Sequence, residues 1–424
     1  MTASKKVLII TYYWPPSGGA GVQRWVKFAK YLPEYGWEPL ILTVDPEFAA
    51  YPVTDRSQVS EIPSSLKVLT TKATDYFTFY KKDKTKIPSA GFASNTDNSL
   101  KGKLMRFIRG NFFIPDPRKG WNRYALQKAR ELINQHKIEN VITTSPPHST
   151  QLIGLKLKKE FPSIKWMADL RDPWTDIYYY NQFYPTLVSK LIDGSYEKEV
   201  LRKADRIIVV GESLKQIFSG KVPGADRKIS VITNGYDEAD FIGEEPEKPS
   251  VFTITYVGTL SDIYPIGGFL DALDMFRSEG RRFILQFIGL VSERQKKLLK
   301  SKLSDQELVL VPYVDHSESI RYMRGSSVLL LIIPDHSSNK SIITGKLFEY
   351  LASFRPVICL GPVDGDPASI LKETGHGITT DYTDTKTIGD QLKKLISQND
   401  QPMNQISVFS RSTLTGKLAE VLKS

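Results

Sequence analysis

The sequence predicts an α/β protein made of two successive Rossmann-like halves, and three observations carry that expectation. Short apolar runs that read as strands buried on both faces alternate with helical patterns. Several of these strands end in glycine or polar residues, where open α/β sheets hold ligands. The alternation stops at a polar, proline-bearing stretch, Gly243-Glu244-Glu245-Pro246-Glu247-Lys248-Pro249, and then restarts. A chain of 424 residues is also too long for one ordinary core.

In the first half, Val7-Leu8-Ile9-Ile10 reads as a strand, Trp14 to Gly21 as a loop and 22–32 as a helix. Strand, glycine loop and helix is a geometry that lets phosphate approach a helix N-terminus through Gly18 and Gly19. A plain tight turn is the other reading. The glycines at 18, 19 and 21 do not spell GxGxxG, which disfavours a dinucleotide fold of the hydride-transfer type. A strand over 39–44 completes a right-handed βαβ unit.

From about 75 to 120 the alternation gives way to a basic, aromatic insertion. Within it Leu100, Leu104, Phe107 and Ile108 fall at i, i+4, i+7 and i+8, with Lys101, Lys103, Arg106 and Arg109 between them and Phe112-Phe113-Ile114 following. That is a basic amphipathic helix. It can lie in a membrane interface with its lysines on anionic headgroups, or pack its apolar face on its own domain. The charge balance points the same way. The chain holds 57 basic and 47 acidic residues, net +10, and the window 81–130 holds 13 and 3, also +10, so the remainder is neutral. A localised basic patch implies an anionic surface partner. No nucleic-acid-binding motif accompanies it, so nucleic acid is not expected as a partner.

Beyond residue 120 a helix over 124–136 leads to the strand 141–144, which ends in Ser145-Pro146-Pro147-His148-Ser149. His148 stands at a strand end, where a ligand role competes with a structural or merely exposed one. The strand 166–170 runs into Arg171-Asp172-Pro173-Trp174. Arg171 and Asp172 are site candidates there, although Asp169 and Arg171 can also pair with each other. A helix over 190–203 and strands over 206–210 and 229–232 close the first half. In the second half, strands at 252–257, 284–288, 308–311 and 328–333 alternate with helices at 268–278 and 292–303 and a short helix before the last strand. A final helix is expected over 405–422, after the turn Asn399-Asp400-Gln401-Pro402. The single cysteine, Cys359, forbids an intrachain disulfide and suits a reducing cytoplasm. Neither a signal peptide nor a membrane span is expected, the N-terminal apolar run being too short.

The stretch Ser341 to Gly361, SIITGKLFEYLASFRPVICLG, combines a helix start, a mid-helix carboxylate and a buried strand. Thr344 can cap the helix, Gly345 lets a ligand approach the backbone, and the free N–H groups of the first turn attract an anion. Glu349 lies just over one turn in, away from the Leu347–Leu351 face. An anion at the start and a carboxylate one turn later suit the diphosphate and ribose of a sugar nucleotide. A core helix with a solvated glutamate is the alternative.

These residues resemble the GT-B glycosyltransferases of the family 4 type, which carry the group 1 C-terminal domain. The resemblance rests on Pro16-Ser17-Gly18-Gly19 with Gly21-Val22-Gln23-Arg24, on Asn234-Gly235-Tyr236-Asp237, on Tyr256-Val257-Gly258-Thr259, and most specifically on Gly345-Lys346-Leu347-Phe348-Glu349-Tyr350-Leu351. It implies two Rossmann-like domains facing each other across a cleft, with boundaries near 1–240 and 251–404. The helix of 405–424 would cross back onto the first domain. It also implies a nucleotide-sugar donor on the second domain, with Glu349 on the ribose, Gly258 and Thr259 near the diphosphate, Tyr313 and Val314 near the base, and Gly18 and Gly19 closing over the donor. Thr344, Gly345 and Lys346 would hold the phosphates without a metal or other cofactor. The string Asp364-Gly365-Asp366 follows a strand and precedes Pro367, so an Asx turn is expected there rather than a metal site.

One departure stands out. The family signature has two glutamates eight positions apart, and Ser341 occupies the place of the first. His148, Arg171 and Asp172 take the catalytic-side roles. The resemblance further implies a retaining, hexosyltransferase-type transfer to a glycan or polyprenyl-linked acceptor in polysaccharide or glycoconjugate synthesis, peripheral on the inner face of the cell membrane. Lys101, Lys103, Arg106, Phe107, Arg109, Phe112 and Phe113 would form the membrane and acceptor surface. A nucleotide-sugar 2-epimerase and a catalytically silent scaffold of the same fold are the competing expectations.

Overall fold

The computed structural model describes residues 5–52, 54–74, 76, 99–247, 249–397 and 404–424. The chain divides into two compact units, residues 1–233 with 411–424, and residues 234–410. Most of the basic insertion ahead of residue 99 lies outside the described residues, as does the turn of 399–402.

The first unit contains, in chain order, β1 (Lys5–Ile10), α1 (Ala20–Tyr31), β2 (Trp37–Val44), β3 (Lys67–Thr71), α2 (Leu100–Phe112), α3 (Asn122–His136), β4 (Asn140–Ser145), α4 (Gln151–Glu160), β5 (Lys165–Leu170), α5 (Leu187–Lys203), β6 (Arg206–Val209), α6 (Glu212–Lys221) and β7 (Ile229–Val231). Its seven strands are parallel in the order β3-β2-β1-β4-β5-β6-β7. The two-residue period of β1 explains its double burial. Val7 and Ile9 join Trp25 and Phe28 of α1, while Leu8 and Ile10 join Ala125 and Leu132 of α3. Each is fully buried, which favours folding by about 1.5–3 kcal/mol per side chain.

The second unit contains β8 (Phe252–Val257), α7 (Gly267–Ser278), β9 (Phe283–Ile288), α8 (Glu293–Lys302), β10 (Leu308–Val311), α9 (His316–Arg324), β11 (Val328–Ile332), α10 (Gly345–Ala352), β12 (Val357–Leu360), α11 (Asp366–Thr374), β13 (Gly377–Thr380) and α12 (Thr385–Ser397). The strands are again parallel, in the order β10-β9-β8-β11-β12-β13. Ile254, Tyr256, Leu330 and Ile358 face α7 and α12, and Leu329, Leu331, Val357 and Cys359 face α10 and α11. Cys359 is sealed in that layer, where burial pushes its thiol up to about 12.

Several sequence expectations shift. The last helix, α13 (Arg411–Lys423), begins later than residue 405, after a 3-10 turn at Ser407–Phe409. Its Leu414, Leu418 and Leu422 join the layer built by α1. Helix α5 starts at Leu187, ahead of the expected 190, because the Thr186 hydroxyl accepts from the Ser189 amide at 3.3 Å. The stretch 243–249 lies inside the second unit, where Glu245 reaches Arg324 and Arg355 at 3.9 and 3.8 Å. Strands β3 and β13, and helices α6, α11 and α12, were not anticipated.

In the first unit a charged contact lies at the heart of the sheet's α1 side. The Asp169 carboxylate, fully buried, accepts from Trp25 Nε1 at 2.8 Å and from the Thr144 hydroxyl at 2.7 Å, and lies 3.4 Å from the equally buried Arg24. Arg24 in turn donates to the carbonyls of Ile232 and Thr233 at 2.9 and 2.7 Å. Removing one partner strands the other charge without solvent. Asp169→Ala is therefore expected to cost about 3–5 kcal/mol in urea unfolding, whereas removing the exposed Glu293 partner of Lys296 should leave the unfolding midpoint nearly unchanged.

Candidate functional site

In both sheets the crossovers change direction beside the first strand, between β1 and β4 and between β8 and β11. Such a switch opens a crevice at the strand carboxyl ends. Each unit presents one.

In the second unit, β8 and β11 pair only through Val328↔Ile254 and Leu329↔Thr255, and then part. The Tyr350 hydroxyl fills the parting, accepting from the Val257 amide at 2.9 Å and donating to the Leu330 carbonyl at 3.3 Å. Helix α10 is thereby tied to the crevice edge. At the end of β8, Gly258 has φ +118°, and a Cβ there would come within 2.7 Å of Lys346 Nζ. Glycine lets the Lys346 ammonium lie over that strand end. The ammonium stands 4.3 Å above the Tyr256 ring and donates to its hydroxyl at 3.0 Å. Burial lowers its pKa, opposed by Tyr264 and Glu349. No carboxylate among the described residues pairs with it.

Thr344 occupies the N-cap of α10, but its hydroxyl caps nothing, which corrects the sequence expectation. That hydroxyl is enclosed and has no hydrogen-bond partner. The helix begins there with the first-turn amides of Gly345 and Lys346. A helix start with a cationic side chain in its first turn is a cradle suited to an anion. One turn on, Glu349 Oε1 lies 3.0 Å from His316 Nε2, a partner that sequence reasoning missed. Tyr313, largely exposed, and Val314, half-buried, lead directly into that histidine. Thr259 follows Gly258, its carbonyl accepting from the Tyr256 hydroxyl at 2.8 Å. Ser341, in the place of the missing glutamate, turns inward and donates to the Ser338 carbonyl at 3.2 Å. Asp364 pairs with Lys340, and Asp366 opens α11 behind Gly365. Among the described residues no group of His, Cys, Asp and Glu is placed to hold a metal.

In the first unit the glycine loop after β1 caps α1 through Gly19, at φ +110°, with Gly18 half-buried beside it and the Ser17 hydroxyl enclosed and unpartnered. Arg171 reaches across to this loop. It donates to the Ser145 and Pro146 carbonyls at 3.0 and 3.3 Å and lies 3.6 Å from Asp169. A Cβ at Gly21 would meet Arg171 Nη1 at 1.9 Å, so that glycine makes room for the guanidinium. Arg171 and Asp169 thus form a loose contact, while the tight bonds of Arg171 go to carbonyls. Asp172 makes no hydrogen bond or ion pair with another described residue, and burial raises its pKa, opposed by Arg171.

His148 stacks on Trp174 with ring centroids 4.7 Å apart and planes 13° apart. Burial, then Arg171 and Lys221, push its imidazole down to about 3. Behind it Trp174 Nε1 donates to Asp193 at 2.7 Å, and burial raises that carboxyl to about 6. Beside these groups, Arg109 lies 4.0 Å from the Phe183 ring centre and is lowered to about 10 by burial and by Arg118. Arg106 turns inward over the Tyr184 ring. Lys101, Lys103, Phe107 and Phe112 are exposed, and Phe113 packs against Tyr76 at 5.3 Å. The helix α2 is present as expected, but the sequence placed its two arginines outward and the structure turns both in.

By sequence, residues 90–240 match the profile of Glycosyltransferase Family 4. A search of curated proteins by sequence finds no match. By structure, the chain is similar to the α,α-trehalose 6-phosphate synthase of Burkholderia multivorans, with TM-score 0.62, 11% identity, and coverage of 99% of this chain and 98% of that one. It is also similar to HepE from Anabaena in complex with UDP and glucose, with TM-score 0.60, 14% identity and 99% coverage of each. A Listeria monocytogenes protein described as a UDP-N-acetylglucosamine 2-epimerase aligns with TM-score 0.55, 13% identity, and 100% and 96% coverage. The likeness shows the fold, which is GT-B.

Two measurements check this geometry. Gly258→Ala should lower stability by about 1–3 kcal/mol in thermal or urea unfolding, because its φ is strained for any side chain. His148 is protonated more readily unfolded, at its ordinary 6.5, than folded, at about 3. As pH falls through that window the unfolded chain takes a proton that the folded one refuses, so His148 costs stability there. Wild type should therefore lose stability relative to His148→Gln between these values, and the imidazole NMR signals should stay untitrated until the pH approaches about 3.

Proposed function

We propose that the chain is a retaining glycosyltransferase that moves a sugar from a nucleoside-diphosphate donor to a glycan or lipid-linked acceptor in glycan assembly. The observation that supports this most is the cradle at the start of α10. Lys346 is held over Gly258, no carboxylate among the described residues pairs with it, and the unpartnered Thr344 hydroxyl and the first-turn amides begin the same helix. A diphosphate matches those donors. Glu349, oriented by His316, then accepts from ribose hydroxyls, and the backbone at Tyr313 and Val314 meets the base.

In the transfer, the bond between the anomeric carbon and the diphosphate oxygen breaks while the acceptor oxygen bonds that carbon. The acceptor proton passes to the leaving diphosphate. Charge therefore develops on the phosphate, where Lys346 and the α10 amides already stand, so the residues present supply without a metal the stabilisation the step needs. In the first unit, His148 is neutral and a hydrogen-bond acceptor at physiological pH, and Arg171 and Asp172 line the strand ends beside Gly18 and Gly19, so this unit takes the acceptor. A cytoplasmic place at the inner membrane face is part of this reading, supported by the exposed lysines of α2. Among the described residues no helix is long and apolar enough to cross a membrane.

A thermal-shift panel of UDP, GDP, dTDP, ADP and CMP tests the reading. A fitting nucleotide at about 100-fold over its Kd should add about 2.7 kcal/mol of stability. The shift should persist in EDTA, vanish in Glu349→Ala and Lys346→Met, and weaken in His316→Ala. No shift for any nucleotide would favour the scaffold, and conversion of a bound UDP-sugar to its 2-epimer without acceptor would favour the epimerase.

A further inference from the structure

Helix α5 is built inside out. Its first turns expose Leu187 at 79%, Val188, Leu191 at 73% and Ile192, while Ser189, Asp193 and Glu197 are buried. The inversion is held by polar bonds. Asp193 accepts from Trp174 Nε1 at 2.7 Å and from the Tyr180 hydroxyl at 3.0 Å, and Glu197 accepts from the Thr175 hydroxyl and Lys221 at 2.6 and 2.7 Å. Turning the leucines inward would break all of them.

Helix α2 is inverted in the same sense. Arg106 is buried and Arg109 covers the Phe183 ring, while Leu100 at 86%, Leu104, Phe107 and Phe112 are exposed. It is seated closely, since a Cβ on Gly110 would meet the Phe183 carbonyl oxygen at 2.3 Å. Asn111 joins the two helices: its Oδ1 accepts from the Thr186 amide at 2.8 Å and the Ser189 hydroxyl at 2.7 Å, at the start of α5. The two apolar faces are thereby fixed on the same unit at one junction. Exposed Lys101, Lys103 and Lys190 stand among them.

We propose that the exposed faces of α2 and α5 together form a docking surface whose partner is an anionic lipid bilayer. Isolated exposed leucines are ordinary, but eight large apolar side chains on two adjoining helices are not. Lysines interleaved with leucine and phenylalanine suit a headgroup boundary, where the apolar groups enter and the ammonium groups stay with the phosphates. A second copy of this chain would set the same lysines against themselves, and the window 81–130, which supplies Lys101 and Lys103, holds a charge equal to the chain's whole net +10. The sequence located only the α2 half; α5 is the addition. The proposal extends the membrane part of the function above, and its test requires neither donor nor acceptor.

Vesicle flotation tests it with the full chain. The protein should float with phosphatidylcholine vesicles that contain phosphatidylglycerol, and bind pure phosphatidylcholine more than about tenfold more weakly. The double variants Leu187→Ser/Leu191→Ser and Leu104→Ser/Phe107→Ser should each lose flotation. Because these side chains are exposed, their melting temperatures should match wild type, and Leu298→Ser, on the other unit, should float normally. Absence of flotation, flotation that survives the α5 substitutions, or a concentration-dependent dimer dispersed by them would overturn the assignment. The nucleotide thermal shift is read separately, so either result stands without the other.

Discussion

A carboxylate with no access to water organises the first unit. Asp169 sits at the end of β5, and everything that neutralises it comes from a different element: Arg24 and Trp25 from α1, Thr144 from β4, and Arg171 from the following loop. A buried charge tolerates little displacement, because each lost partner leaves an uncompensated ion in a poorly polarisable interior. The position of α1 against the strand ends is therefore set electrostatically as well as by packing. Its glycine loop, the Arg171 guanidinium at Gly21 and the His148–Trp174 stack inherit that placement.

The second unit repeats the order of the first six strands and reaches a comparable edge by neutral means. Among the described residues no buried ion pair ties α10 to the sheet. One phenol hydroxyl takes up the backbone groups that β8 and β11 leave unmatched where they separate, and a glycine in a conformation closed to other residues admits a lysine. The result is a cation at the start of a helix, in surroundings that raise the cost of leaving it unpaired. Arrangements of that kind are common at functional sites, because the ligand supplies what the protein withholds.

Much of this was legible in the sequence, and the omissions share physical causes. Central strands such as Val7 to Ile10 are buried on both faces and read as continuous apolar runs, whereas β3 is a half-exposed edge strand and β13 is short and polar, and neither stands out. The Gly345 to Leu351 string marked α10, yet Thr344 did not act as a cap, since a threonine at an N-cap can leave its hydroxyl unused. His316 lies 33 residues from Glu349 and has no local pattern to mark it. The inverted face of α5 was hidden, and that of α2 left between two readings, for a different reason: periodicity gives the width of an apolar stripe but not which way it turns. That direction is decided by buried partners such as Trp174, Tyr180 and Lys221, which periodicity does not reveal.

The Tyr350 hydroxyl has a mechanical consequence. A helix held to a sheet by side-chain packing alone can slide by fractions of an ångström at small cost, but α10 cannot move without exposing the Val257 amide and the Leu330 carbonyl at the core of its own sheet. The edge is stiff before anything arrives. A ligand that settles there has little protein motion to freeze, so its affinity is spent on contact rather than on ordering, and the calorimetric entropy of binding should reflect water released more than chain immobilised.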